Sequence, residues 1–150
     1  AIFMIVIGAY LFGYFITVTG TAQAFADAIT GLDLGPTWTL ALILVVYLVL
    51  GAVMDELAMI LLSVPIVFPV IVSLGFDPVW FGVIIVMTVT LGMTLPPVGM
   101  NVFVVNSLAR DVGLPAIYRG VMPYIVADVI RLVLLCAFPA ISLGLVGLMK

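Results

Sequence analysis

Five stretches of this chain carry no charged residue: 1–26, 34–54, 57–76, 78–109 and 132–149. Each is long enough, or nearly so, for a membrane helix of about 20 residues. A soluble domain usually has about 25% charged residues, whereas this chain has 7% charged and 67% hydrophobic residues. The expected fold is an all-α integral membrane protein with several transmembrane helices.

The same composition excludes other classes. A net charge of −3 without a basic cluster argues against nucleic acid and against a polybasic lipid anchor. Cys136 is the single cysteine, so it cannot form an internal disulfide and reads as a small apolar residue of the last helix. With no histidine and no thiolate cluster, a transition-metal site is not expected. The chain opens on Ala1 inside an apolar run, without a cleavable signal pattern. It is expected to be a fragment of a larger protein, cut before its first span.

The fourth uncharged run holds GMTLPPVGMN, residues 92–101. Pro96 and Pro97 lack backbone N–H groups, and their rings clash with the preceding turn. Freed carbonyls cannot stay unpaired in lipid. A broken helix at membrane depth therefore needs protein, water or a bound ion. Its carbonyls can hold a cation, and its new helix N-terminus attracts an anion. Residues 79–108 would span about 45 Å as one helix, beyond the ~30 Å hydrocarbon core. Two half-helices with an unwound middle are expected.

The other elements follow from punctuation. Residues 1–18 are expected to span. Residues 19–35 are more polar, with Asp27 and Asp33, and bring Ala22, Phe25, Ala26 and Ile29 to one helical face. They read as an arm on the membrane surface or as a plain loop. Residues 37–54 and 57–74 are separated only by Asp55 and Glu56. A re-entrant hairpin over 37–74 is preferred to two full crossings, because its tip places the acids at depth inside protein. Pro65 and Pro69 are expected to kink the return arm. Trp38 and Trp80 each follow a proline at the start of an apolar run and read as interfacial anchors. A last span is expected over about 121–148. The loop with Arg110 and Arg119 is cytoplasmic by the positive-inside rule, which puts Asp77, Asp27 and Asp33 on the opposite face. Either reading of 37–74 satisfies this layout.

Burying Asp55 or Glu56 in the membrane costs several kcal/mol unless the acid is paired or solvated. Both are oxygen donors for a hard cation, beside the backbone carbonyls of Gly51 to Met54. Gly92 and Gly99 permit close backbone approach or unusual dihedrals. Thr94 and Asn101 add side-chain oxygens, and Asn101 can donate to a substrate carboxylate. Asp128 and Arg131, three apart, can pair on one helix face.

The stretches at 51–83 (GAVMDELAMILLSVPIVFPVIVSLGFDPVWFGV) and 91–105 (LGMTLPPVGMNVFVV) carry a resemblance, supported by RGVMPY at 119–124 and AFPAISL at 137–143. In this order they resemble the C-terminal half of the large membrane subunit of tripartite ATP-independent periplasmic (TRAP) transporters. The resemblance implies an ion-transporter-like half repeat and no enzymatic activity. It implies a sodium-coupled, elevator-type importer of an organic acid such as a dicarboxylate, in the cytoplasmic (inner) membrane of a bacterium or archaeon. A periplasmic binding protein would deliver the substrate, and a small membrane subunit would complete the permease. By motif position it nominates Gly51, Asp55, Gly92, Thr94 and Pro96 for sodium, and Pro97, Gly99 and Asn101 for substrate. No cofactor is implied beyond sodium as coupling ion. One departure stands out: the family usually has threonine directly before the double proline, where this chain has Leu95 preceded by Thr94.

Two other readings compete. One is an ion-coupled carrier with re-entrant hairpins and no binding protein. The other is an intramembrane aspartyl protease with Asp55 and Asp128 sharing a proton, although Arg131 beside Asp128 favours an ionised acid.

Overall fold

A computed structural model describes residues 2–96 and 99–149. The described residues form eight helices and no strand: α1 (Ile2–Val18), α2 (Thr21–Thr30), α3 (Pro36–Gly51), α4 (Glu56–Ser73), α5 (Pro78–Gly92), α6 (Met100–Leu108), α7 (Leu114–Ala137) and α8 (Ala140–Leu148).

Local chemistry sets most of the boundaries. Gly20 adopts the left-handed region at φ 67°, where an L side chain would be strained, and α2 leaves α1 at 67°. Pro36 and Pro78 stand in the first turns of α3 and α5, where a missing N–H costs nothing. Asp77 caps α5, accepting from Val79 N at 2.8 Å and Trp80 N at 3.2 Å. α4 ends in a Schellman turn with Gly75 at φ 83°: Phe76 N donates to Ile71 O at 3.2 Å and Gly75 N to Val72 O at 3.0 Å.

Helix α5 is the centre of the molecule. Trp80, Phe81, Ile84, Ile85, Thr88, Val89, Leu91 and Gly92 are all buried along it. α3 buries Leu40, Ile43, Tyr47 and Gly51, and packs more extensively on α5 than on its own return arm α4. α4 packs chiefly on α1 and α2, with Gly13 of α1 facing the Pro65 ring. It continues as one helix through both Pro65 and Pro69. The two arms are tied across the hairpin where Tyr47 Oη donates to Ser63 Oγ at 2.7 Å, and Ser63 Oγ donates in turn to Met59 O at 2.6 Å. Of the face expected on α2, Ala26 is buried and Ile29 packs against the core, whereas Phe25 is exposed.

Much of the outer surface is apolar. Phe3, Tyr10, Leu11 and Tyr14 of α1 and Tyr124, Ile130 and Val133 of α7 all face outward. Such a surface is stable against lipid and not against water. By length and composition α4 and α7 can each cross a membrane, and the bent pair α1–α2 qualifies as a third span. α5 has 15 residues, about 22 Å at 1.5 Å per residue, short of the ~30 Å hydrocarbon core.

Two expectations differ from the structure. Trp80 is not an interfacial anchor: it is 3% exposed, its ring stacks on Phe76 with centroids 5.4 Å apart, and its Nε1 donates to Leu135 O at 2.9 Å. The reason lies at Pro139. In a continuous helix Leu135 O accepts from the N–H four residues on, and a proline there has none. The indole supplies the missing donor. Trp38, by contrast, is 73% exposed. The same proline divides the helix expected over about 121–148: α7 starts earlier, at Leu114, and stops at Ala137, and α8 follows the break at Phe138–Pro139.

Candidate functional site

Four helix ends meet at one place. α3 ends at Gly51 and α5 ends at Gly92, and the two glycines touch. A Cβ on Gly92 would lie 2.8 Å from Leu48 O and 3.1 Å from Gly51 Cα, while one on Gly51 would lie 3.0 Å from Val89 O. Only residues without a side chain allow this approach. From the same place α4 departs at Glu56 and α6 at Met100. The C-terminal ends bring carbonyls and partial negative charge, and the N-terminal ends bring N–H groups and partial positive charge.

The hairpin tip is a tight turn, in which Leu50 O accepts from Val53 N at 3.0 Å and Met54 N at 2.8 Å. No backbone N–H of the described residues reaches the carbonyls of Gly51, Ala52, Val53 or Met54. Asp55 is exposed and caps α4, its Oδ2 accepting from Ala58 N at 3.3 Å. Its neighbour Glu56 is half-buried and reaches across to α5, where Oε1 accepts from Thr90 Oγ1 at 3.3 Å.

The break in the second element is short. Thr94 N donates to Leu91 O at 3.0 Å and Leu95 N to Leu91 O at 3.1 Å, which tightens the last turn of α5. Asn101 N then donates back across the break to Met93 O at 3.2 Å, so α6 is anchored to the end of α5. Gly99 sits between them at φ 38°, close enough that a Cβ would meet Leu95 O at 3.1 Å and Thr94 O at 3.2 Å. The carbonyls of Thr94 and Leu95 accept from no backbone N–H of the described residues. α6 has no side-chain cap, but Asn101 N, Val102 N and Phe103 N already donate to Met93 O and Gly99 O, so among the described residues Met100 N is the one first-turn donor without a backbone acceptor.

Of the nominated residues, Gly51 and Gly92 are in direct contact, and Thr94, Gly99 and Asn101 surround the break. Thr94 Oγ1 donates to Thr90 O at 3.3 Å, and the Asn101 side chain is exposed. Pro96 is exposed beside the break. Pro97 lies outside the described residues. Among those residues the Asp55 carboxylate makes no hydrogen bond to Thr94 or Asn101; the glycine contact, not the acid, joins the tip to the break. Thr90 was not singled out by the sequence, because a threonine in an apolar helix ordinarily bonds its own preceding turn, as Thr90 also does with Val86 O at 2.9 Å. Elsewhere, Asp128 and Arg131 form the expected pair, with Arg131 Nη2 2.7 Å from Asp128 Oδ1.

Fold and site together define an all-helical, multi-span membrane protein in which a hairpin tip meets a broken helix. Residues 1–141 match the family described as the tripartite ATP-independent periplasmic transporter, DctM component, and the chain belongs to that family. It is 34% identical over 143 residues to the C4-dicarboxylate TRAP transporter large permease protein DctM of Pseudomonas aeruginosa, covering 94% of this chain and 33% of that protein. It is 35% identical over 147 residues to the protein of the same name from Rhodobacter capsulatus, covering 97% and 33%. It is 34% identical over 140 residues to the sialic acid TRAP transporter large permease protein SiaM of Vibrio cholerae, covering 93% and 33%. The chain thus spans about a third of the length of these relatives.

Proposed function

We propose that this chain forms one half of the binding site of a sodium-coupled, elevator-type importer of an organic acid. The supporting observation is the meeting of the α3 and α5 C-termini at Gly51 and Gly92. Two negative dipole ends, with several carbonyls lacking backbone donors, make a cation site of the kind found at half-helix ends. A hard monovalent ion is suited to such neutral oxygens, and the Asp55 carboxylate beside the tip adds to the local negative potential. Gly51, Asp55, Gly92, Thr94 and Pro96 are the residues assigned to sodium. The start of α6, where Met100 N has no backbone acceptor, is where a substrate carboxylate would dock, with Gly99 beside it and the Asn101 side chain donating a hydrogen bond; Pro97 is assigned to substrate by the family resemblance alone.

In this reading the chain lies within the C-terminal half of a TRAP large permease subunit, with 37–74 a re-entrant hairpin, in the inner membrane of a bacterium or archaeon. A small membrane subunit completes the permease, and a periplasmic binding protein delivers the acid. A dicarboxylate is the substrate favoured by two of the related names. Sialic acid, named for a third, is also a carboxylate, so the carboxylate is the shared recognition element.

The test is uptake into liposomes containing the intact permease, with an imposed sodium gradient, with and without the binding protein. Uptake is expected to need both. Asp55→Asn is expected to reduce uptake at limiting sodium by about tenfold, roughly 1.4 kcal/mol of lost ion stabilisation, while saturating sodium restores most of the rate. Unchanged sodium dependence in that variant would remove Asp55 from the site. Sodium-driven uptake without a binding protein would replace the tripartite reading by that of a free-standing carrier.

A further inference from the structure

We propose that Glu56 and Thr90 form a clasp that sets the hairpin tip against the broken helix, making them a positioning pair for the cation site. The inference rests on the sodium reading above for its functional consequence, and on geometry alone for the clasp. Asp55 and Glu56 are adjacent, yet they divide the work. Asp55 is turned to its own helix through Ala58 N, whereas Glu56 crosses to α5 and meets Thr90. Thr90 stands two residues before Gly92, and its carbonyl holds the Thr94 hydroxyl at 3.3 Å. A single line therefore runs from the tip, through Glu56 and Thr90, to Thr94 at the break.

The glycine contact and the clasp act on opposite sides of the same turn. Gly51 against Gly92 fixes the end of α3, and Glu56 against Thr90 fixes the start of α4. One contact would leave the tip free to rotate about it. Two, flanking residues 52–54, determine where the tip carbonyls and Asp55 point. The Thr90 hydroxyl has one proton and two acceptors, Val86 O at 2.9 Å and Glu56 Oε1 at 3.3 Å. The closed clasp shares that proton between the two acceptors, and when it opens the proton turns wholly to Val86 O, so no donor is stranded. The contact can be made and broken at little cost, as a transport cycle requires.

The experiment compares Glu56→Ala, Thr90→Val, their double variant, Thr90→Ser and Glu56→Gln in the intact permease. Two quantities are read: the sodium concentration for half-maximal uptake, and the melting temperature of the purified protein. Glu56→Ala and Thr90→Val are each expected to raise half-maximal sodium about three- to tenfold, with the half-maximal substrate concentration little changed. The double variant is expected to be no worse than either single one. Thr90→Ser and Glu56→Gln keep the donor and the acceptor oxygen and are expected to stay within about twofold of wild type. A Gln variant as impaired as the Ala variant would assign the effect to charge and overturn the clasp. Additive melting shifts in the double variant would also overturn it, whatever the uptake does. Coupled melting shifts with sodium-independent uptake would uphold the clasp and remove the sodium reading instead.

Discussion

Gly92→Ala is expected to separate the hairpin tip from the broken helix and abolish transport by the permease. The added methyl would sit 2.8 Å from Leu48 O and 3.2 Å from the Gly51 carbonyl carbon. Both are backbone atoms, so no side chain can swing aside. Either α3 or α5 must shift, at about 1–3 kcal/mol for overpacking of this kind. Relief of the clash moves the two helix ends apart and dismantles the carbonyl cluster between them. Gly82→Ala is the matched control: it lies on the same helix, with nothing within 4 Å of the new Cβ. There the substitution is expected to be neutral or to stabilise by up to ~1 kcal/mol through helix propensity. Thermal melting in detergent and liposome uptake read both variants. If Gly92→Ala melts and transports like Gly82→Ala, the close approach of the helix ends is wrong.

Trp80→Phe is expected to destabilise the protein by about 1–3 kcal/mol, the cost of leaving a buried acceptor unpaired. Phenylalanine retains the stacking on Phe76 and loses the bond to Leu135 O, which at 9% exposure for the residue has little access to another donor. Trp80→Ala removes the ring as well and is expected to cost about 3–5 kcal/mol. The diagnostic is Pro139→Ala. It restores an N–H at the position from which Leu135 O is normally bonded in a helix. In that background Trp80→Phe should cost distinctly less than in the wild type. Equal costs in the two backgrounds would show that the indole acts through its volume alone and not through its N–H.

Much of the architecture was legible because local rules act over a few residues. The uncharged runs required helices. Prolines at 36, 78, 96 and 97 stood at the starts of apolar runs and at the break, whereas the capping roles of Asp55 and Asp77 came only with the structure. Gly51 and Gly92 were recognisable as special, one at a hairpin tip and one before a double proline. Which glycine met which was not legible. Pro139 shows the limit in reverse: it ends α7, although the apolar pattern alone runs through it.

Partner choice was the part hidden from the sequence, and lipid is the reason. In a soluble helix the polar face marks the outside. α5 is apolar all round, and the hydrocarbon outside it is as apolar as the protein inside, so periodicity carries no instruction about which side is buried. Nothing in residues 78–92 tells that Trp80 turns inward to Leu135, or that Thr90 turns to Glu56. The sequence by itself determined an all-helical membrane chain with a doubly acidic hairpin tip and a helix broken at Pro96–Pro97. The tertiary structure decided that α3 packs on α5, that their C-termini meet at Gly51 and Gly92, and that Trp80 replaces the donor Pro139 lacks. These are contacts between segments about 40 to 55 residues apart, chosen by close packing and by unpaired backbone groups seeking partners where no water can serve.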